Sequence, residues 1–167
     1  MKKTAILTIS DKGFKGQRLD ETGQVLKKYL EENDYRVEYY KVIPDEVEDI
    51  KKELKHICDE LEISLVITNG GTGFSKRDIT PEATLQVIEK NVPGIAEYMR
   101  MRSMEITPRA MLSRGVAGIR KKSLIINLPG SPRGARENLE FILPSLSHGL
   151  EILSGEASEC AREEKTL

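Results

Sequence analysis

What most constrains this chain is a repeated exchange between short, nearly unbroken apolar runs and segments of 3.6-residue periodicity. "TAILTIS" (4–10) and "ISLVIT" (63–68) are apolar on both faces of an extended backbone, so a strand made of either must be covered on both sides. Helices supply that cover. In 21–33 Val25, Leu26, Tyr29 and Leu30 share one helical face, and "YRVEYYKVI" (35–43) reads as a second strand. After it, Val47, Ile50, Leu54, Ile57, Cys58 and Leu61 repeat at helical spacing behind Asp45. Further on the chain reads as helices over 81–90 and 93–105, then as "GVAGIR" and "SLIINL", two strands joined by a tight turn at Lys121 and Lys122. A final helix starts at Ser131 and Pro132 and is expected to kink at Pro144. Strands alternating with helices predict an α/β fold with a mostly parallel sheet.

A length of 167 residues suits one domain, set at 1–154 and followed by a polar, weakly ordered tail over 155–167. No apolar run approaches the roughly 20 residues that span a bilayer, and the N-terminus is too short and mixed for a signal peptide. A cytoplasmic protein is expected. Cys58 and Cys160 are far apart and read as inert, and His56 and His148 form no zinc spacing. A net charge of −1 argues against a general nucleic-acid binder, yet 69–136 holds 12 basic against 5 acidic residues. That local excess suits a site for small anions, or simply a solvated surface.

Parallel α/β sheets bind ligands beyond the carboxyl ends of their strands. Four turns fall on that edge: "SDKGFKG" (10–16), "PDE" (44–46), "NGGTGFSKRD" (69–78) and "PGSPRG" (129–134). The third is the most informative. It lacks the lysine pattern of a P-loop, and Gly71-Thr72-Gly73 is followed by Lys76 where a dinucleotide fingerprint needs glycine. A glycine turn whose bare amides can approach an anion or a flat ring is left, or else a tight turn without a ligand. Asp45 with Glu48 matches a capping box, which makes a helix cap the first reading of that acid. Asp78 lies in a loop between basic residues and the next helix. Brought to one edge, the two carboxylates suit Mg²⁺, which favours a few carboxylates plus substrate phosphates. Ser131-Pro132 offers a helix N-terminus, a natural anion site.

Six blocks, "ISDK", "VIPDE", "TNGGTGFSKRDITPEAT", "PGIAEYMR", "MLSR" and "NLPGSP", occur in an order that resembles the molybdopterin-binding family of molybdenum cofactor biosynthesis, over about Thr4 to Leu153. The likeness is to its stand-alone adenylyltransferase branch (MogA-like), and the same domain occurs in MoaB-like proteins. It implies a three-layer α/β/α sandwich, a homotrimer, and transfer of AMP from ATP to molybdopterin with release of pyrophosphate. The product would pass to a molybdate-insertion enzyme. In that family the aspartates matching Asp45 and Asp78 are required, which the resemblance makes catalytic and candidate Mg²⁺ ligands here. It further implies that nucleotide and pterin are bound by Ser10, Asp11, Asn69, Gly70, Gly71, Thr72, Gly73, Ser113, Arg114, Pro129, Gly130 and Ser131. On the residues alone Ser10-Asp11 equally suits a turn and Arg114 a surface ion pair. Met99, Met101 and Met104 read as core or subunit interface. A non-catalytic molybdopterin-binding or scaffold module is the alternative; a pyridine-nucleotide-salvage domain lacks the long extra region of that activity.

Overall fold

The computed structural model describes residues 1–155; Cys160 and the expected polar tail beyond Gly155 lie outside the described residues. Six strands form one sheet in the order β2-β1-β3-β6-β5-β4. They are β1 (Lys2–Ile9), β2 (Tyr35–Ile43), β3 (Leu65–Asn69), β4 (Lys90–Asn91), β5 (Ala117–Arg120) and β6 (Ser123–Leu128). The β1–β2, β1–β3 and β3–β6 pairings are parallel, whereas β5 returns antiparallel to β6 and β4 antiparallel to β5. The sheet is thus parallel through its centre and turns antiparallel at one edge.

Helices cover both faces, giving the three layers expected. They are α1 (Asp11–Phe14), α2 (Glu21–Glu31), α3 (Val47–Asp59), α4 (Thr80–Leu85), α5 (Pro93–Met104) and α6 (Pro132–Ser154). Alternate residues of the central strands feed opposite cores. Ile6, Leu65, Ile67, Leu124 and Ile126 pack beneath α2, α5 and α6. Ala5, Leu7, Val66 and Ile125 pack beneath α3 and α4 with Ile50, Leu54, Ile57 and Ala83. This division explains the unbroken apolar runs: each strand is buried on both sides. Among the described residues no helix is long and apolar enough to cross a membrane.

Several expected boundaries move. The helix expected over 81–90 ends at Leu85, and Lys90–Asn91 forms a short edge strand against β5. Thr80 opens α4, and its hydroxyl donates to the Gly70 carbonyl at 2.9 Å. Helix α6 runs unbroken from Pro132 to Ser154 with Pro144 inside it. Met99 is buried in the core, while Met101 and Met104 are exposed. Cys58 is buried, and burial pushes its thiol up to about 11, which keeps it protonated and unreactive at neutral pH.

A polar hook pins the central strands together. Asn127 on β6 donates to the Thr68 hydroxyl on β3 at 2.9 Å and to the Thr84 hydroxyl on α4 at 3.0 Å, and its carbonyl oxygen accepts from the Val116 amide at 3.2 Å. All of this lies in the interior, where orphaned polar groups are costly. Asn127→Ala is therefore expected to cost about 2–4 kcal/mol, the combined effect of a small cavity and an unpaired amide. Denaturant unfolding checks it, and a loss below about 1 kcal/mol, the size of one ordinary hydrogen bond, would remove the hook from the account.

Candidate active site

The carboxyl ends of β1, β2, β3 and β6 meet at one edge, and their loops are tied together by side chains. Asp11 and Asp45 exchange backbone contacts reciprocally. The Asp11 amide donates to Asp45 Oδ2 at 2.8 Å, and the Asp45 amide donates to Asp11 Oδ1 at 3.1 Å. Arg77, from the glycine loop, grips Asp11 through Nε at 3.0 Å and Nη2 at 3.1 Å and reaches Glu46 at 2.8 Å. Loops separated by more than 30 residues each are thereby held in one register.

This arrangement overturns the helix-cap reading of Asp45. The cap position of α3 belongs to Glu46, and no side chain makes a cap hydrogen bond there. The Asp45 carboxylate turns instead toward Asp11 and the cleft. Burial raises its pKa above the ordinary carboxylate range, the Asp11 amide opposes this, and the charges of Asp11 and Asp78 add to the rise. Asp11 moves the other way, held low mainly by its hydrogen bond from Arg77.

The glycine loop is shaped by contact at its first two positions. Gly70 has φ +96° and a side chain there would sit 2.3 Å from the Ile9 carbonyl oxygen. Gly71 has φ +66°, and its missing Cβ would lie 2.3 Å from the Thr80 hydroxyl and 3.3 Å from Asp45 Oδ1. Only glycine satisfies both the backbone and the space. Further along, the Ser75 amide donates to Asp78 Oδ2 at 3.1 Å. Asp45 and Asp78 thus each have one oxygen on a backbone amide, and among the described residues the other has no hydrogen-bond donor.

Asp45 and Asp78 line one cleft of about 570 Å³ together with Ser10, Asn69, Gly70, Gly71, Gly130 and Ser131. Thr72, Gly73, Ser113 and Pro129 line a second, less polar cleft of about 300 Å³ that shares Ser131. The residues expected to bind nucleotide and pterin are thus split between two adjoining spaces, with the glycine loop running from one to the other. Neither Asp11 nor Arg114 lines either cleft. Asp11 is spent on the loop staple. Arg114 donates to the Gly73 carbonyl at 2.7 Å and the Asp78 carbonyl at 2.7 Å and also pairs with Glu82, so it is a brace on the loop. Ser10 caps α1 by accepting from the Gly13 amide at 3.1 Å, and Ser131 caps α6 by accepting from Gly134 at 3.2 Å.

The sequence reading passed over a buried chain of hydrogen bonds on the first cleft's floor. Asn69 donates to Thr8 at 2.9 Å, Thr8 donates to Asp20 Oδ2 at 2.6 Å, and the Tyr40 hydroxyl also donates to Asp20. Asp20 Oδ1 accepts from the Gly23 amide at 2.9 Å and so caps α2. Burial, followed by the Asp20 carboxylate, pushes Tyr40 up to about 12 and keeps it a donor. The available signal was an aspartate directly before a predicted helix start; the partners Thr8 and Tyr40 are reached only through the sheet. Thr22 completes this wall by donating to the Gly130 carbonyl at 2.7 Å.

Residues 5–148 match the family model described as "Probable molybdopterin binding domain". The chain is 45% identical over 154 residues to a molybdopterin adenylyltransferase of Helicobacter pylori, covering 90% of this chain and 86% of that one. It is 36% identical to the molybdopterin adenylyltransferase of Escherichia coli K12, covering 96% and 90%. Among solved structures it is similar to the molybdopterin biosynthesis enzyme MoaB of Thermus thermophilus, with a TM-score of 0.88 and 49% identity over 93% of this chain and 98% of that one.

The raised pKa of Asp45 carries a stability cost. The native state binds this proton more tightly than the unfolded chain, so the group favours folding when protonated. That contribution is lost as pH rises from the ordinary carboxylate range through the raised native value. Asp45→Asn is uncharged and still has an oxygen to accept from Asp11. It is expected to melt at or above the wild-type temperature at neutral pH, with the difference closing in acid. A large drop in melting temperature at neutral pH would show that the charge itself holds the loops together.

Proposed function

The chain belongs to the molybdopterin-binding domain family of molybdenum cofactor biosynthesis, and from that premise we propose that it is a molybdopterin adenylyltransferase. The observation that carries this reading is the pair of half-buried carboxylates, Asp45 and Asp78, each with one oxygen free on the same glycine-walled cleft. A module that only held a pterin would have no use for two open acids on one cleft. In the reaction a terminal phosphate oxygen of molybdopterin attacks the α-phosphorus of ATP. The bond from that phosphorus to the bridging oxygen breaks, and pyrophosphate leaves with the electron pair.

The residues suit Mg²⁺. Among the described residues no group of three or more His, Cys, Asp or Glu forms a complete metal cage. Two open carboxylates with room for phosphate oxygens are the arrangement this ion favours when it arrives with a nucleotide. Bound there, Mg²⁺ would neutralise the triphosphate and polarise the α-phosphate. The chain's own part is positioning. Asp45 and Asp78 face the cleft because backbone amides and Arg77 fix their loops, and the buried Asn69–Thr8–Asp20 chain keeps the floor from shifting. Phosphoryl-type transfer depends chiefly on such alignment and on charge placement. We assign the nucleotide phosphates to the first cleft, beside the carboxylates, and the pterin to the second, less polar one.

A cytoplasmic homotrimer that hands its product to a molybdate-insertion enzyme completes the reading. Support for self-association is the exposed apolar set Met101, Met104, Ile106, Met111 and Leu112, along α5 and the 3-10 turn Pro108–Leu112 that follows. Large apolar side chains left exposed along one continuous segment suit contact with another copy of the chain. Light scattering is expected to give three times the 18.8 kDa chain mass, and a monomer would contradict it.

The catalytic assignment is tested on Asp45→Asn and Asp78→Asn. Each is expected to fold and to bind molybdopterin while releasing pyrophosphate roughly 10²–10³-fold more slowly. Near-normal turnover in both would refute the assignment.

A further inference from the structure

We infer that Arg18 is the cation that grips the β- and γ-phosphates of the nucleotide, an inference that rests on the nucleotide reading of the first cleft. The cleft's charge balance raises the need for it. Its lining carries Asp20, Glu21, Asp45 and Asp78 against a single basic residue, Arg18. A triphosphate entering so acidic a space is repelled unless its charge is met at both ends. The carboxylate side accounts for a metal near the α-phosphate. The far end is left to a protein cation.

Of the arginines in the surrounding loops, Arg18 alone is available for that purpose. Arg77 is held by Asp11 and Glu46, Arg114 by two loop carbonyls and Glu82, and Arg133 by Glu137. Arg18 makes no hydrogen bond or ion pair with any described residue, and its side chain is exposed at the cleft wall. Its backbone, however, is well placed. Two residues on, Asp20 is anchored by Thr8, Tyr40 and the Gly23 amide, so the base of Arg18 is held beside the cleft while its guanidinium is free to turn. A planar fork of donors matches phosphate oxygens in pairs, which suits an arginine in this position. Lys12, Lys15 and Lys76 stand on neighbouring turns without lining the space.

The test is calorimetric titration of the full chain with MgATP, magnesium pyrophosphate and AMP, run on wild type, Arg18→Met, Arg18→Lys and Lys15→Met. Loss of charge-assisted hydrogen bonds predicts that Arg18→Met weakens ATP and pyrophosphate roughly 10–100-fold. AMP, which ends at the α-phosphate, should bind unchanged, Arg18→Lys should recover part of the loss, and all variants should melt like wild type. Unchanged ATP affinity in Arg18→Met overturns the inference. So does an equal loss for AMP, which would move the contact off the β- and γ-phosphates, or an equal loss in Lys15→Met, which would reduce it to general loop charge. A wild-type chain that binds neither ATP nor pyrophosphate overturns the nucleotide reading itself, and this inference with it.

Discussion

The reciprocal pairing of Asp11 and Asp45, each accepting from the other's backbone amide, is the contact on which the geometry of this edge rests. It joins the turns after β1 and β2, and Arg77 adds the turn after β3 by gripping Asp11 and Glu46. Two like charges side by side would ordinarily repel. Here the amides take one oxygen from each, and the guanidinium balances Asp11. The result is uneven by design of the fold: Asp11 is stabilised as an anion, while Asp45 is half-buried and held with a raised pKa. One carboxylate serves the scaffold and its neighbour faces the cleft. Strain and unfavourable charge of this kind persist only where the surroundings over-determine them, and they concentrate at functional sites.

The basic excess of the 69–136 stretch has a related explanation. Of its eight arginines, three are half-buried and bonded to backbone carbonyls as braces. Arg100 donates to the Ser113 and Gly115 carbonyls, Arg114 to the glycine loop, and Arg120 to Asp59 and the Val87 carbonyl. Arg100 and Arg114 fix the loops around the two clefts, whereas Arg120 ties β5 to the end of α3 on the opposite side of the sheet. On the lining of the first cleft itself Arg18 is the single basic residue, which is why it carries weight.

Much of this was legible in the chain itself. The double-sided burial of β1, β3 and β6 shows as unbroken apolar runs, and α2 and α3 show as clean helical faces, because both are local consequences of which side meets the core. The close approach of the glycine turn was legible as well, since glycines directly after a buried strand mark a backbone with no room for a side chain, as Gly70 and Gly71 show. The cap reading of Asp45 fails because a local rule, acid then glutamate three residues on, competes with a tertiary contact to a residue 34 positions earlier. Short elements escaped for a similar reason: α1 and β4 are too brief to show any period, and β4 exists only through its pairing with β5. The division of the site into two clefts, and the roles of Asp11 and Arg114 as staple and brace, depend on which loops face each other across the sheet edge. No spacing within a single loop records that.

The most direct measurement is of the reaction product. Wild-type protein, molybdopterin and MgATP are incubated together, and the pterin is recovered and weighed by mass spectrometry, with and without a chelator. The account predicts a pterin heavier by one adenylyl group, one pyrophosphate released for each, and neither when the metal is removed. Molybdopterin recovered bound but unmodified, with ATP intact, would contradict it and leave a binding module in place of an enzyme.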